Sequence, residues 1–174
     1  MRFLLFLIIV FSYSCVDDRD ISTEELVVNP EYQLNFFKFQ YSAINLNQGN
    51  FSIPDQIKDT SEVDFLRDDI NKDYLKTVTF QVYAENTIDQ PIELNFKFFN
   101  PDNDVVYEYT KTVKSGSVGT PFKEEFVIDL STNEVTAITN ATTLQITLSQ
   151  PQGNNQQGEF SLRSTVQFSY KYTP

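Results

Sequence analysis

The segment Phe160-Ser161-Leu162-Arg163-Ser164-Thr165-Val166-Gln167-Phe168-Ser169-Tyr170-Lys171-Tyr172 alternates between apolar and polar residues. Phe160, Leu162, Val166, Phe168, Tyr170 and Tyr172 fall on one side, and Ser161, Arg163, Thr165, Gln167, Ser169 and Lys171 on the other. Ser164 alone interrupts the apolar side. Successive residues of a strand point to opposite faces, so this pattern predicts a long strand with one buried face.

The same alternation recurs upstream. Val78, Phe80, Val82 and Ala84 share one face of a second strand, and Ile92, Leu94, Phe96 and Phe98 one face of a third. Residues 100–104, Asn-Pro-Asp-Asn-Asp, are dense in turn formers and predict a hairpin onto a strand over 105–113. Phe122, Phe126, Ile128 and Leu130 mark another strand, and Leu144, Ile146 and Leu148 one more. Residues 34–41 and 62–66 read as shorter strands, for about eight in all. Ser131 and Glu134 have capping-box spacing, followed by Val135 and Ile138 on one helical face, so one short helical turn is expected.

The expected fold class is therefore all-β, an antiparallel sandwich over residues 33–174. The pattern resembles an immunoglobulin-like sandwich, in which a helical turn often crosses between sheets. A closed lipocalin-like barrel is the alternative. Some 140 residues can bury close to 70% of their unfolded surface, enough for stability without disulfides or metal.

Composition limits the chemistry. Among 174 residues, 13 Lys and Arg face 24 Asp and Glu, a net charge of −11. Such a surface repels nucleic acid, so no nucleic-acid partner is expected. The chain has no His, no Trp and a single Cys, Cys15. Nucleophilic triads and ordinary zinc sites lack their residues, and a disulfide within one chain cannot form. No cofactor and no enzymatic activity are expected.

Residues 3–11 read FLLFLIIVF after Met1-Arg2, too short for a spanning helix but suited to the apolar region of a signal peptide over 1–14. Ser12-Tyr13-Ser14-Cys15 follows directly. A small residue before Cys at this place resembles the bacterial lipobox, although Ser12 stands where that pattern prefers Leu. The resemblance implies diacylglyceryl transfer to Cys15 and cleavage before it, giving a membrane anchor through lipid. Val16-Asp17-Asp18-Arg19-Asp20 then resembles the acidic export signal of Bacteroidetes lipoproteins. There, residues such as Asp17 and Asp18 direct the protein to the outer face of the outer membrane. Residues 15–32 would form the lipidated Cys and a flexible acidic tether.

Few residues suggest a ligand site. Asp64, Asp68 and Asp69 lie in an acid-rich stretch that could offer oxygens to calcium, but no EF-hand spacing is present, and a solvated loop is the plainer reading. Tyr83, Tyr107 and Tyr109 could stack on sugar rings; half-buried strand Tyr is the plainer reading. Gly116 and Gly119 sit in a loop over 114–120 that lacks the Gly-Lys-Ser/Thr of a phosphate loop and reads as a hairpin connection. The expected function is a non-catalytic binding or assembly module for a partner protein of the cell envelope. The alternative is a glycan- or nutrient-binding module of an uptake system. An exposed row of Tyr on one sheet would favour glycan, and a buried, mostly non-aromatic strand edge with an apolar patch would favour protein docking.

Overall fold

In the computed structural model the described residues are 27–43, 56–149 and 157–172. They form eight strands: β1 (Glu31–Ala43), β2 (Gln56–Glu62), β3 (Leu75–Asn86), β4 (Ile92–Phe99), β5 (Val105–Val113), β6 (Phe122–Asp129), β7 (Thr143–Ser149) and β8 (Gly158–Tyr170). A 3-10 turn (Asp64–Arg67) and helix α1 (Asp69–Tyr74) lie between β2 and β3, and helix α2 (Thr132–Ile138) between β6 and β7. One sheet has the order β1-β8-β3-β6 and the other β2-β7-β4-β5.

The wiring follows from one turn. β4 pairs with β5, β3 with β6, β2 with β7 and β1 with β8, all antiparallel. The chain is thus a long hairpin closed at residues 100–104, rolled so that successive pairs fall in alternate sheets. Rolling brings β8 beside β3 and β7 beside β4. At the tip, the Asn100 side-chain oxygen accepts from the Asp104 backbone N–H at 2.8 Å. Asn103 takes a positive φ of 66°, a conformation Asn tolerates better than most residues.

The expected antiparallel sandwich of eight strands with a short helix is what forms. Its wiring is that of the eight-stranded jelly roll, with the first and last strands adjacent. An immunoglobulin-like order would instead group the strands as ABED over CFG. Two separate sheets also replace the closed barrel held as the alternative. Strand spacing along a chain says little about which distant strands pair, and that is why the finer expectation misses.

β8 alternates as expected: Phe160, Leu162, Ser164, Val166 and Phe168 are buried. They face the interior with Val78, Phe80, Val82 and Ala84 of β3, opposite Leu94, Phe96 and Phe98 of β4 and Leu144, Ile146 and Leu148 of β7. Each large side chain so buried contributes roughly 1.5–3 kcal/mol. Helix α2 begins with the expected capping box, the Glu134 carboxylate accepting from the Ser131 N–H at 2.7 Å.

Three local expectations are corrected. The strand read at 34–41 is longer and starts at Glu31, inside the stretch read as tether, because Glu31 and Tyr32 continue the ladder opposite Ser169 and Phe168. The strand read at 62–66 lies earlier, at β2. Val63 and Leu66, three residues apart, turn inward on the 3-10 turn and are both buried. The loop at 114–120 is not a hairpin: β5 and β6 belong to different sheets, so it crosses between them. Gly116 makes that crossing possible, since an added Cβ would meet the Asn86 carbonyl and Phe122 N.

The sandwich lies within one compact unit, Asn29–Lys171, and Val28 and Tyr172 belong to a second. In the latter, Val28 and Tyr172 exchange backbone hydrogen bonds of 3.1 and 3.0 Å.

Candidate functional site

β1 carries an irregularity that decides what its outer face displays. Asn35 pairs with Thr165, but the next pair is Phe37 with Ser164, so Phe36 is the extra residue of a bulge. Phe36 and Phe37 both turn inward, Phe36 against Phe80 at 5.2 Å between ring centroids and Phe37 against Phe96 at 5.6 Å. Parity after the bulge is inverted, and Lys38 emerges on the outer face.

There it stands in a row across the sheet. Lys38 is paired with Arg163 of β8, Arg163 with Tyr83 of β3, and Tyr83 with Glu125 of β6. The Arg163 guanidinium lies 4.4 Å from the Tyr83 ring centroid, a cation–π contact. Open depressions of about 610 and 550 Å³ lie on the two sides of this row, and Lys38, Tyr83 and Arg163 line both. Among the described residues, neither Lys38 nor Arg163 has a carboxylate within ion-pair distance. Several other lysines do: Lys111 meets Glu124 at 2.6 Å, Lys97 meets Glu108 at 3.2 Å and Lys123 meets Glu85 at 3.5 Å. The hydrogen bond to Glu124 raises the Lys111 pKa, and hydrogen bonds from Asn95 and Lys97 lower that of Glu108.

A second feature is the β1 edge. Among the described residues β1 pairs on one side only, with β8. Tyr32 and Leu34 of β1 are 57% and 41% exposed, although they pair with the buried Phe168 and Val166. Phe65, on the 3-10 turn, is 41% exposed and packs edge-on against Phe36 and Phe168 at 6.5 and 6.3 Å. Tyr32, Leu34 and Phe65 thus continue the core out to the surface. Asp64 flanks Phe65 in the chain, and Asp68 and Asp69 follow at the start of α1.

The residues singled out in the sequence do not assemble into one site. Tyr83 is on the outer face of the first sheet, with Arg163 over its ring. Tyr107 and Tyr109 are partly buried on β5 and point the other way, against Phe98 and Phe96; Tyr109 also stacks on Phe126 of β6. Tyr83, Tyr107 and Tyr109 therefore form no exposed row. Burial and the charge of Glu134 push the Tyr107 hydroxyl up to about 12. Asp64, Asp68 and Asp69 are spread over the 3-10 turn and the start of α1. Asp69 is solvent-facing, 3.9 Å from Lys72. Among the described residues no three acidic side chains converge as a metal site would require. Cys15, Asp17 and Asp18 lie outside the described residues.

Lys38 and Arg163 were not singled out by sequence. Alternation along β8 puts Arg163 on the polar face, but the adjacent Phe36-Phe37 pair was the sole local sign that Lys38 would join it.

No protein-family model and no curated protein matches the chain. Among solved structures it is similar to that of infectious bursal disease virus Gx strain, with a TM-score of 0.48 and 14% identity over 81% of this chain and 32% of the other. A proposed secreted protein from Parabacteroides distasonis gives a TM-score of 0.46 and 11% identity over 64% of this chain and 36% of the other. The enzymatically active domain of bacteriophage CBA120 tailspike protein 4 gives 0.39 and 11% over 80% of this chain and 19% of the other. The chain spans about a third or less of each of these three chains. At such identities no activity, ligand or assembly of theirs transfers to this one. No helix among the described residues is long and apolar enough to cross a membrane.

Proposed function

We propose that this chain is a lipid-anchored, non-catalytic docking module of the bacterial outer membrane, facing the cell exterior, and that a partner envelope protein binds along the β1 edge. The anchor would be Cys15, and Asp17 and Asp18 the export signal. This part rests on the order of leader, Cys and acidic cluster.

The observation that carries the docking reading is the thirteen-residue outer strand β1, which exposes Tyr32 and Leu34 beside Phe65. An unpaired edge offers backbone donors and acceptors to an incoming strand, and alternate apolar side chains give it specificity. In the chain Glu31 adjoins Tyr32, Asp64 adjoins Phe65, and Asp68 and Asp69 follow shortly after. They suit a partner strand that is apolar at alternate positions and flanked by Lys or Arg. Stacking of a neutral sugar on Tyr83, Tyr107 and Tyr109 finds no shared platform, and this favours protein docking over the glycan alternative.

A photo-crosslinking residue at Leu34, compared with one at Val127 on the outer face of β6, tests the reading in intact cells. A discrete adduct with an envelope protein from position 34, and none from 127, is expected. No adduct at 34, or equal adducts at both positions, overturns it.

A further inference from the structure

We infer that the outer face of the β1-β8-β3-β6 sheet is a receptor for a carboxylate-bearing sugar unit, with Arg163 and Lys38 taking the carboxylate. The starting point is an electrostatic oddity. Two cations stand directly opposite one another on neighbouring strands, an arrangement that costs stability in the absence of an anion. Neither is neutralised among the described residues, in a protein carrying a net −11.

Arg163 is also prepared for an anion. Its guanidinium carbon lies 4.4 Å over the Tyr83 ring centroid, a contact that restrains the group. A stacked guanidinium loses little freedom on binding and matches the two oxygens of a carboxylate. Tyr83 serves here as a support for the guanidinium, not as a platform for a sugar ring. Lys38 reaches this face because the bulge at Phe36 inverts the parity of β1.

The surroundings select the charge and the kind of ligand. Glu125 ends the same row, and Glu85 and Glu159 line the second depression. Lys123, the next cation, is already held by Glu85. A singly charged group fits two cations that no described carboxylate pairs and that acids hem in, whereas a phosphate dianion meets more repulsion. Neutral polar side chains stand among the remaining lining: Asn35, Gln81 and Thr165 in one depression, beside the apolar Phe36, Phe37 and Val82, and Gln40, Thr87 and Ser161 in the other, beside Leu162. The polar ones are partners for sugar hydroxyls. β8 and β3 are hydrogen-bonded on both sides. At Arg163 and Tyr83 the face therefore offers side chains and no free backbone, which suits a saccharide laid across the sheet better than a peptide strand added to it.

Calorimetric titration of the full chain in detergent with trigalacturonate tests this. Saturable binding is expected, with no binding of its methyl ester. R163Q should weaken it at least about tenfold, the loss of a charge-assisted pair, and K38Q several-fold. Because R163Q also removes the Tyr83 stack, R163K is the second variant. It keeps the charge, loses the fork, and should still bind several-fold more weakly. Failure to bind trigalacturonate, equal binding of the ester, or unchanged affinity in R163Q overturns the inference. So does tighter binding of a tri-glutamate peptide, which would mark an acidic-peptide site. None of these outcomes bears on crosslinking at Leu34, so this inference and the docking reading fail separately.

Discussion

The Tyr170 hydroxyl donates to the Asn71 side-chain oxygen at 2.6 Å, fastening α1 to the end of β8. The same Asn71 donates through its amide nitrogen to the Phe65 carbonyl, also at 2.6 Å. Asn71 is buried, so the two bonds answer its polar atoms and hold the 3-10 turn in place. Y170F should cost about 1 kcal/mol, the net value of one hydrogen bond. N71A strands both partners and should cost more, about 1–3 kcal/mol. Urea unfolding of both variants checks the order, and a smaller loss for N71A contradicts it.

Gly116 and Gly119 occupy one loop but should respond oppositely to alanine. A Cβ at Gly116 would collide with the backbone of Asn86 and Phe122, and one at Gly119 meets nothing within 4 Å. Backbone cannot yield as a side-chain tip can, so G116A should lose at least about 1–3 kcal/mol. G119A should stay within about 0.5 kcal/mol of the parent. Thermal melts of the pair decide it.

Tyr107 makes the fold sensitive to alkali. Below pH 10 its hydroxyl is neutral in both folded and unfolded chains. Burial, aided by the Glu134 carboxylate, holds the folded pKa near 12, so above pH 10 the unfolded chain ionises first. The raised pKa thus means stability intact below pH 10 and lost as pH rises from 10 to 12. The gap in melting temperature between pH 9 and pH 11 should be smaller in Y107F. An unchanged gap would place the alkaline loss elsewhere.

β8 is an inner strand, flanked by β1 and β3, and it carries five buried positions. Deleting residues 160–174 removes the partner of both neighbours as well as Phe160, Leu162, Val166 and Phe168 from the core. A domain stable by about 5–15 kcal/mol does not survive that loss. No cooperative unfolding transition should remain, and a sharp melt would mean that β1 and β3 can close without it.

Asp17 and Asp18 should affect address and not stability. Both precede the first strand of the sandwich, which begins at Glu31. Replacing both with Ala should leave the melt of the body unchanged and shift the protein from protease-accessible to protease-protected in intact cells. Digestion from outside at the wild-type rate would reduce the cluster to a linker.

How the sandwich is built was legible in the sequence wherever the governing physics is local. The alternation of β3, β4 and β8 shows which side chains face inward, because a strand side chain has only two directions. Asn100 to Asp104 announces the hairpin, and Ser131 with Glu134 the start of α2, because turn and cap geometry depend on residues a few positions apart. What the tertiary structure decided is which strands meet. β1 joins β8 across most of the chain, and no residue of either strand names its partner. Pairing is chosen by the cooperative burial of both sheets' inner faces, a sum over the whole core. The bulge at Phe36 belongs to that sum: two Phe rings find places at Phe80 and Phe96, and parity shifts to let them in. Lys38 is thereby turned outward beside Arg163, 125 positions along the chain, and a site with no local motif comes into being only when the core has packed.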